Sequence, residues 1–316
     1  MERANGRSVR GFAPGSVGNI GPGLDILGMA ITGAGDSVVA RTSYAPGVRI
    51  LNPGHIDLPT DPARHTAGLA AAAVLRRAGV HDFSVALEVS KGLPLSGGQG
   101  GSAASAVAAA VAVHALLGRP LDTATLLECC IEAEAVVAGR HADNVAPILL
   151  GGIVLVRSMD PLDLVSLPVP PDLHIVLAQP TQKLETRAGR AALPRDLPLA
   201  TALHQAAQVG AIVAALASGD LALLGRAIDD RIAEPARGPL LPWFAEAKAA
   251  ALDAGALGCS ISGSGPTAFA LADSPQRAEA VGQAMAKAYE AQGIPCRARA
   301  ATVERRGARA EAGVAE

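Results

Sequence analysis

The stretch Pro94-Leu-Ser-Gly-Gly-Gln-Gly-Gly-Ser-Ala-Ala104 is a glycine-crowded segment that joins two regions of different periodicity. Residues 83–90 before it alternate between apolar and more polar side chains, which is the period-two pattern of a half-buried strand. Residues 102–117 after it are apolar on almost every side and stop at Gly118, as expected of a buried helix. The chain is therefore predicted to run from strand through glycine loop to helix.

Such a loop is suited to binding phosphate. Glycine lets backbone N–H groups approach an anion without a Cβ in the way, and the following helix directs its positive end to the same place. A nucleoside triphosphate is the ligand that this arrangement indicates. The predicted phosphate-binding residues are Pro94, Gly97, Gly98, Gln99, Gly100, Gly101, Ser102, Ala103 and Ala104.

Better-known glycine-rich loops fit this segment less well. A Walker A loop carries Lys followed by Ser or Thr after its last Gly, and no lysine lies in this loop, which excludes a P-loop NTPase. Residues 98–103 match the dinucleotide pattern G-x-G-x-x-A, but a strand ending in an acidic residue should follow, and residues 121–137 are typical of another helix. A mobile linker without a ligand is a weaker interpretation, because linkers seldom lie between a strand and a buried helix.

The composition favours a small-molecule ligand. A formal net charge of -2 gives no general attraction for nucleic acid or an anionic membrane, and an aromatic content of 2% argues against a base-stacking surface. The 4 cysteines have neither metal-site nor disulfide spacing. Without a secretion signal or an obvious membrane-spanning stretch, a soluble cytoplasmic protein is expected.

A length of 316 residues predicts two domains rather than one core. Prolines cluster between two β-rich segments, at Pro161, Pro168, Pro170 and Pro171, and indicate the boundary. The predicted division is an N-terminal domain over residues 8–160 and a C-terminal domain over residues 161–305. Residues 1–7 and 306–316 are expected to be flexible ends.

Polar residues gather in three further segments. Asn19 and Asp25 flank a Gly-Pro-Gly turn, where their side chains either converge on one ligand or form an ordinary Asx turn. Glu134 precedes the polar residues 141–144, which form either part of a site or a solvated loop. Residues 260–267 form a second glycine-rich turn, and no Ser there lies in G-x-S-x-G, which argues against an α/β-hydrolase.

The glycine-rich segments at residues 12–25, 94–104 and 260–267 together resemble the GHMP family of small-molecule kinases. The stretch His141-Ala-Asp-Asn-Val-Ala-Pro147, with Leu-Leu-Gly-Gly152 after it, resembles the branch that acts on L-homoserine rather than mevalonate or galactose. The resemblance implies an α+β fold, with an N-terminal α+β domain, a C-terminal ferredoxin-like α/β sandwich and a site between them. It also implies ATP and Mg²⁺, O-phospho-L-homoserine as a product on the route to threonine, and a homodimer. A mevalonate-like acceptor is the alternative.

The resemblance further assigns roles to residues of this chain. Ser102 and Glu134 are expected to hold Mg²⁺, and Asn144 is expected to orient the attacking hydroxyl. These three residues are the predicted catalytic residues. An amide cannot take a proton at neutral pH, so the base stays unidentified, and His141 either relays a proton or makes a structural hydrogen bond. The predicted substrate-binding residues are Asn19, Asp25, His141, Asp143, Asn144, Thr186, Arg190, Arg237 and Gly263.

Within that set, opposite charges are matched to the two ends of a zwitterionic amino acid. Asp25 and Asp143 are candidates for its ammonium group, while Arg190 and Arg237 are candidates for its carboxylate. Surface salt bridging is the alternative interpretation for each arginine. Asn19 is expected to help Asn144 align the attacking oxygen.

Several positions depart from the family pattern. The phosphate loop commonly reads Gly-Leu-Gly-Ser-Ser, and here Gln99 and Gly101 replace Leu and the first Ser, which removes one hydroxyl donor. Leu24 stands where Phe is usual. His65 occupies a position near the adenine where the family favours Asn, so a preference for ATP over GTP rests on the resemblance alone.

Overall fold

Two β-sheets organise the chain in the computed structural model, which describes residues 7–44, 47–137 and 139–312. The strands are β1 (Ser8–Gly18), β2 (Leu27–Thr42), β3 (Val48–Asn52), β4 (Val85–Ser90), β5 (Ile153–Met159), β6 (Leu162–Leu167), β7 (His174–Pro180), β8 (Gly258–Ile261), β9 (Ala268–Ala272), β10 (Cys296–Thr302) and β11 (Arg309–Ala312). The helices are α1 (Thr66–Arg77), α2 (Gly101–Leu116), α3 (Thr123–Ala135), α4 (Val145–Leu150), α5 (Thr186–Ala191), α6 (Leu199–Ser218), α7 (Leu221–Arg226), α8 (Ala233–Arg237), α9 (Phe244–Asp253) and α10 (Pro275–Glu290), with a 3-10 turn at Gly238–Leu240.

The first sheet has the strand order β11-β1-β2-β4-β3. Strand β5 joins it by pairing with β2, and β6 in turn pairs with β5. The second sheet has the order β10-β7-β9-β8, with α10 between β9 and β10. Strand β7, the first of this sheet along the chain, therefore lies between β10, the last, and β9, the third, as in ferredoxin-like folds. The predicted α+β class and the ferredoxin-like second half are confirmed.

Helix α2 forms the centre of the first core. Residues 103–113 are buried without interruption, and the helix packs against β1 and β2 with α1 and α3 beside it. Alanine permits this close approach, and at Gly11 even one added Cβ would lie 2.1 Å from the carbonyl oxygen of Ala108. The predicted strand, loop and helix around residues 83–117 are confirmed as β4, the glycine loop and α2. This packing fixes the N-terminus of α2 at the end of the glycine loop.

The second sheet buries both faces, as its alternating residues require. Ile175 and Leu177 of β7 face a core shared with β1, β2 and α6, while Val176 and Ala178 face α9 and α10. One apolar cluster therefore contains side chains from both sheets. This shared core joins the two halves of the chain and brings their loops together at one cleft.

The division predicted at residue 160 is one strand too early. Strand β6 pairs with β5 along its length and so belongs to the first sheet, and the second sheet begins only with β7. Pro161 lies in the short turn of the β5–β6 hairpin. The first proline of the cluster thus marks a turn within a sheet, while Pro168, Pro170 and Pro171 lie in the connection between the sheets.

The flexible end predicted for residues 306–316 is also wrong in part. Residues 309–312 form β11, which pairs antiparallel with residues 9–12 of β1. The guanidinium of Arg309 lies 4.3 Å from the ring centroid of Phe12, a stacking partner that composition alone did not reveal. Residues 1–6 and 313–316, also predicted to be flexible, lie outside the described residues.

Helix α6 is the one helix in the described part of the chain that is long and apolar enough, by length and composition, to cross a membrane. Only 22% of its most apolar window is buried. Ile212, Ala215 and Leu216 pack into the shared core, and Gln205 donates a hydrogen bond to the carbonyl of Pro22. The helix thus packs by one face into the core that the two sheets share and exposes apolar residues on the other.

Candidate active site

A cavity of about 740 Å³ lies where the glycine loop meets α3, α4, α5 and the turn after β8. Most of the predicted site residues line it: Asn19, Asp25, Pro94, Gly97, Gly98, Gly100, Gly101, Ser102, Ala103, Glu134, His141, Asp143, Asn144, Thr186, Arg190, Arg237 and Gly263. Gln99 and Ala104, whose exposed fractions are 3% and 0%, do not line it. Residues from both halves of the chain thus face one space.

The loop at residues 94–101, here called the phosphate loop, has its carbonyl oxygens held by the protein. Each carbonyl from Gly97 to Ser102 accepts a hydrogen bond. The donors are Thr267 Oγ1 to Gly97, Ser262 Oγ to Gly98 (2.6 Å), the Ser16 N–H to Gln99 (3.1 Å), the Ala104 N–H to Gly100 (2.8 Å), Lys91 Nζ to Gly101 (2.7 Å) and Thr66 Oγ1 to Ser102 (3.1 Å). The N–H groups of the first turn of α2 have no intrahelical acceptor and are available to an anion.

Gly100 is the turn at which the phosphate loop enters α2. Its φ is +68°, in the left-handed region that favours glycine, and an added Cβ would lie 2.1 Å from Ser16 Oγ. That hydroxyl in turn donates to Asn144 Oδ1 at 2.8 Å. The loop, Ser16 and Asn144 are therefore packed as one unit, which connects the phosphate-binding side of the cavity to the polar cluster opposite.

Glu134 lies near the end of α3 with its carboxylate directed toward α2. Ser102 Oγ donates to Glu134 Oε2 at 2.9 Å, and the buried Oε1 has no hydrogen-bond partner among the residues that the structure describes. Burial raises the pKa of Glu134 to about 7, although the Ser102 hydrogen bond opposes the shift. A buried, half-satisfied carboxylate beside a hydroxyl is a donor pair that suits a hard divalent cation.

The other side of the cavity carries paired charges. Arg190 forks onto the carboxylate of Asp25, with Nη2 donating to Oδ1 at 2.8 Å. Burial alone would raise the pKa of Asp25, but the hydrogen bond and charge of Arg190 outweigh it and lower that pKa. Asp25 and Arg190, which were predicted to bind opposite ends of the substrate, therefore neutralise each other here.

Arg237 is the better-placed cation for an anionic group. It is buried, it donates to the carbonyls of Gly189 (3.1 Å) and Gly263 (2.7 Å), and within the described residues it forms no salt bridge. Burial lowers its pKa, as expected of a guanidinium held without a paired carboxylate.

The remaining predicted polar residues form a linked cluster. His141 Nδ1 lies 3.1 Å from Asp143 Oδ1, and the amide of Asn144 donates to Asp143 Oδ2 at 3.3 Å. Asn19 uses its side chain to hold its neighbours, accepting from the Asp25 N–H at 3.1 Å and donating to the Gly263 carbonyl at 3.0 Å. Ligand atoms of Asp25, His141 and Asp143 lie within 4.8 Å of one another, so these three polar side chains meet on one side of the cavity.

Sequence reasoning missed a buried network behind the phosphate loop. Lys91 lines the cavity, pairs with the fully buried Asp36 and donates to Ser105 Oγ at 3.0 Å. Asp36 also accepts from the N–H groups of Gly92 and Leu93, both at 3.1 Å. The signal available in the sequence was weak: Lys91 is one of very few lysines and directly follows β4. This network holds the start of α2 and places a cation beside the loop.

His65, predicted to lie near the adenine, also lines the cavity. It is buried, caps α1 by accepting from the Ala67 N–H through Nδ1 at 3.1 Å, and places Nε2 3.1 Å from the Pro53 carbonyl. Burial lowers its pKa, and the neutral ring suits both contacts. With both ring nitrogens engaged by the backbone, His65 shapes the cavity wall.

Comparisons with known proteins agree with this geometry. The family model for the N terminal domain of GHMP kinases matches residues 65–152, and the model for the GHMP kinase C terminal matches residues 212–291. A homoserine kinase from Chlorobium phaeovibrioides is 46% identical over 90% of this chain and 92% of its own. One from Arabidopsis thaliana is 43% identical over 89% of this chain and 78% of its own.

Solved structures give the same result. The crystal structure of homoserine kinase from Cytophaga hutchinsonii superposes with a TM-score of 0.93 and 42% identity, covering 98% of this chain and 99% of that one. A mevalonate kinase from L. major, at 19% identity, 93% and 95% coverage and a TM-score of 0.67, shares the fold. The fold and the cavity are those of a small-molecule phosphotransferase. The chain belongs to the GHMP kinase family, among the relatives that carry the name homoserine kinase.

Proposed function

We propose that the protein transfers the γ-phosphoryl group of ATP to the side-chain hydroxyl of L-homoserine, giving ADP and O-phospho-L-homoserine for threonine biosynthesis. The observation that carries this proposal is one cavity with two chemically different sides. The phosphate loop and the Ser102–Glu134 pair lie on one side, and the Asp25, Asp143 and Arg237 charges lie on the other. The names of the relatives favour homoserine over a mevalonate-like acceptor.

On the donor side, the phosphate loop and the first turn of α2 bind the triphosphate oxygens through backbone N–H groups. The hydrogen bonds that hold the loop carbonyls support this role, because they keep the negative ends of the peptide dipoles from the anion. Lys91, whose charge is paired with Asp36, holds the carbonyl of Gly101 on the same side. The adenine ring of ATP lies near His65, which lines the same cavity.

Ser102 and Glu134 fit Mg²⁺. Glu134 Oε1 is a buried carboxylate oxygen that no other described residue contacts through a hydrogen bond, and Oε2 is 2.9 Å from the hydroxyl of Ser102. Bound Mg²⁺ would supply the charge neutralisation that phosphoryl transfer requires. Glu134 and Ser102 would hold it against the phosphates and keep Glu134 ionised despite its burial.

On the acceptor side, Arg237 binds the carboxylate of the amino acid, and Asp143 with Asp25 binds its ammonium group. No carboxylate in the described part of the chain forms a salt bridge with Arg237, which supports its role. Arg190 then serves mainly to fix Asp25, and Thr186 at the start of α5 contributes a hydroxyl to this side of the cavity. Asn19 and Gly263 shape the wall between the two charges.

The transfer itself is a direct in-line displacement. The acceptor oxygen forms a bond to the γ-phosphorus while the bond from that phosphorus to the bridging oxygen of ADP breaks. Asn144, held by Ser16, orients the hydroxyl, whose proton passes to a phosphate oxygen. His141 stabilises Asp143 across 3.1 Å.

Acceptor choice is the decisive test. ADP release is measured with ATP, MgCl₂ and, in turn, L-homoserine, L-serine, other amino alcohols and mevalonate. Turnover with L-homoserine and none with mevalonate is the expected result. Turnover with mevalonate and not with L-homoserine would replace the proposed acceptor. If no acceptor supports ADP release, the protein binds nucleotide but is not a kinase.

The protein is further proposed to act in the cytoplasm as a homodimer, without nucleic-acid or membrane partners. The outer face of α6 supports a partner surface, because Leu199 and Leu203 are 74% and 62% exposed. Sedimentation velocity of the wild type and of Leu203→Glu tests this: a dimer that Leu203→Glu converts to a monomer is expected. A monomeric wild type would remove the dimer from the proposal.

A further inference from the structure

Gln99 departs from the family pattern, and its environment differs from that of its neighbours in the phosphate loop. Its backbone belongs to the loop, but its side chain is 3% exposed and does not line the cavity. The carboxamide instead projects toward the second sheet. The Gln99 side chain therefore does not contact phosphate, although the sequence pattern places the residue in the phosphate loop.

The carboxamide of Gln99 is hydrogen-bonded on both of its ends. Nε2 lies 3.3 Å from both Gln179 Oε1 and Thr267 Oγ1, and Oε1 accepts from Arg299 Nη2 at 3.2 Å. These three partners come from β7, from the turn before β9 and from β10, respectively. One loop side chain thus contacts three separate parts of the second sheet.

Arg299 makes this contact more than a local hydrogen bond. Its Nη1 donates to the Thr32 carbonyl of β2 at 2.8 Å, so the same guanidinium connects the first sheet, the second sheet and the loop. Burial lowers the pKa of Arg299, and no carboxylate within the described residues forms a salt bridge with it. The oxygen of Gln99 is therefore one of few acceptors that compensate a half-buried positive charge.

We propose that Gln99 is a positioning residue that fixes the phosphate loop to the second sheet through Arg299, Gln179 and Thr267, and thereby sets nucleotide affinity. Thr267 reinforces the attachment, because it accepts from Gln99 and also donates to the carbonyl of Gly97. Ser262 holds Gly98 from the same side. Three successive loop residues are anchored to the second sheet, while Gly101 and Ser102 are anchored to the first by Lys91 and Thr66.

This arrangement makes the loop a joint between the sheets. Leucine, common at this position in the family, could not form hydrogen bonds to Arg299 or Gln179. In this chain those two residues therefore depend on Gln99 as their hydrogen-bond partner in the loop. The inference rests on the proposed nucleotide site, and it adds that loop geometry depends on a side chain outside the cavity. Loss of that side chain is expected to weaken ATP binding without direct loss of any contact to ATP.

The test compares Gln99→Met, which keeps side-chain length but removes both polar atoms, with Arg299→Met and the double variant. Isothermal titration with MgATP is expected to give a dissociation constant raised about tenfold in each single variant. The double variant is expected to be little worse than either, because the residues act as one unit. The KM for L-homoserine should change less than the dissociation constant for ATP.

Thr302→Val is the matched control. Thr302 Oγ1 contacts Thr32 Oγ1 at 3.2 Å, so the variant removes a side-chain contact between the same sheets without touching the loop. Its ATP affinity should equal that of the wild type even if its melting temperature falls. A folded Gln99→Met with wild-type ATP affinity would overturn the inference, and if that variant does not fold, unchanged affinity in Arg299→Met does so. Absence of ATP binding in the wild type overturns the proposed function instead.

Discussion

At the scale of single residues, Glu134 is the side chain whose chemistry is most constrained by its position. It is buried, one of its oxygens has no hydrogen-bond partner within the described residues, and the other accepts from Ser102 at the start of α2. Glu134→Gln retains the size and the contact with Ser102 but removes the charge that would bind Mg²⁺. Turnover is expected to fall on the order of a hundredfold or more, measured as ADP release with L-homoserine. Retention of more than half the activity would contradict the metal role.

The same substitution has a predicted effect on stability, with a defined direction. In metal-free buffer the pKa of Glu134 is raised from 4.5 to about 7, so between these values the folded protein keeps a proton that the unfolded chain releases. Stability from this group is complete below pH 4.5 and is lost as the pH rises through about 7.

Glu134→Gln carries no charge at any pH, so it should be more stable than the wild type at pH 8 and differ less at pH 5. Urea unfolding in EDTA at both pH values measures the difference, which should be on the order of 3 kcal/mol at most. If the free energy of unfolding changes with pH equally in the two proteins, the pKa of Glu134 is not raised in the folded state.

Arg237 provides a test of the acceptor side. Its guanidinium donates to two carbonyls at once, from Nε and Nη1, and lysine cannot reproduce that fixed fork. Arg237→Lys is expected to raise the KM for L-homoserine roughly tenfold to a hundredfold and to leave the dissociation constant for ATP within about twofold. Arg277→Lys, in the exposed pair with Asp273, is the control and should change neither value. Equal losses for ATP and homoserine would indicate general disruption.

At the scale of elements, the turn from the phosphate loop into α2 depends on Gly100. Gly79 has nearly the same conformation, with φ of +66° against +68°, but no atom of the described chain lies within 4 Å of its added Cβ. Gly79→Ala should therefore cost only the backbone term of about 1 kcal/mol and keep full activity. Gly100→Ala pays that term and also collides with Ser16 Oγ, so the loop must shift. Strongly reduced ATP affinity is expected for Gly100→Ala alone, and equal behaviour of the two variants in titration and thermal unfolding would refute this.

The elements that sequence predicted well are those whose pattern is local. Alternation defines β4, continuous apolar character defines α2, and glycine marks the loop between them, so this part of the site was predictable. Contacts between distant segments were not. A proline occurs in hairpin turns as well as in linkers, so the sequence around Pro161 could not distinguish the two. Residues 309–312 are too few and too polar to predict a strand unless their pairing with β1 is known. The Asp25–Arg190 pair likewise joins residues 165 positions apart.

At the scale of the whole molecule, the two sheets are expected to unfold together. Their shared core contains Met29 and Ile31 of the first sheet beside Leu177 and Phe269 of the second. The chain also returns to the first sheet through β11 after it has completed the second. Neither half can therefore lose its structure without exposing apolar surface of the other, and scanning calorimetry should show one transition.

Removal of β11 tests this coupling. A chain that ends at Arg306 loses the strand paired with β1 and the contact of Arg309 with Phe12, whereas a chain that ends at Ala312 keeps both and is the control. The shorter chain is expected to melt roughly 5–10 °C lower, still in a single transition, because the loss is transmitted through the shared core. Two resolved transitions, with only the lower one shifted, would show that the sheets are independent domains.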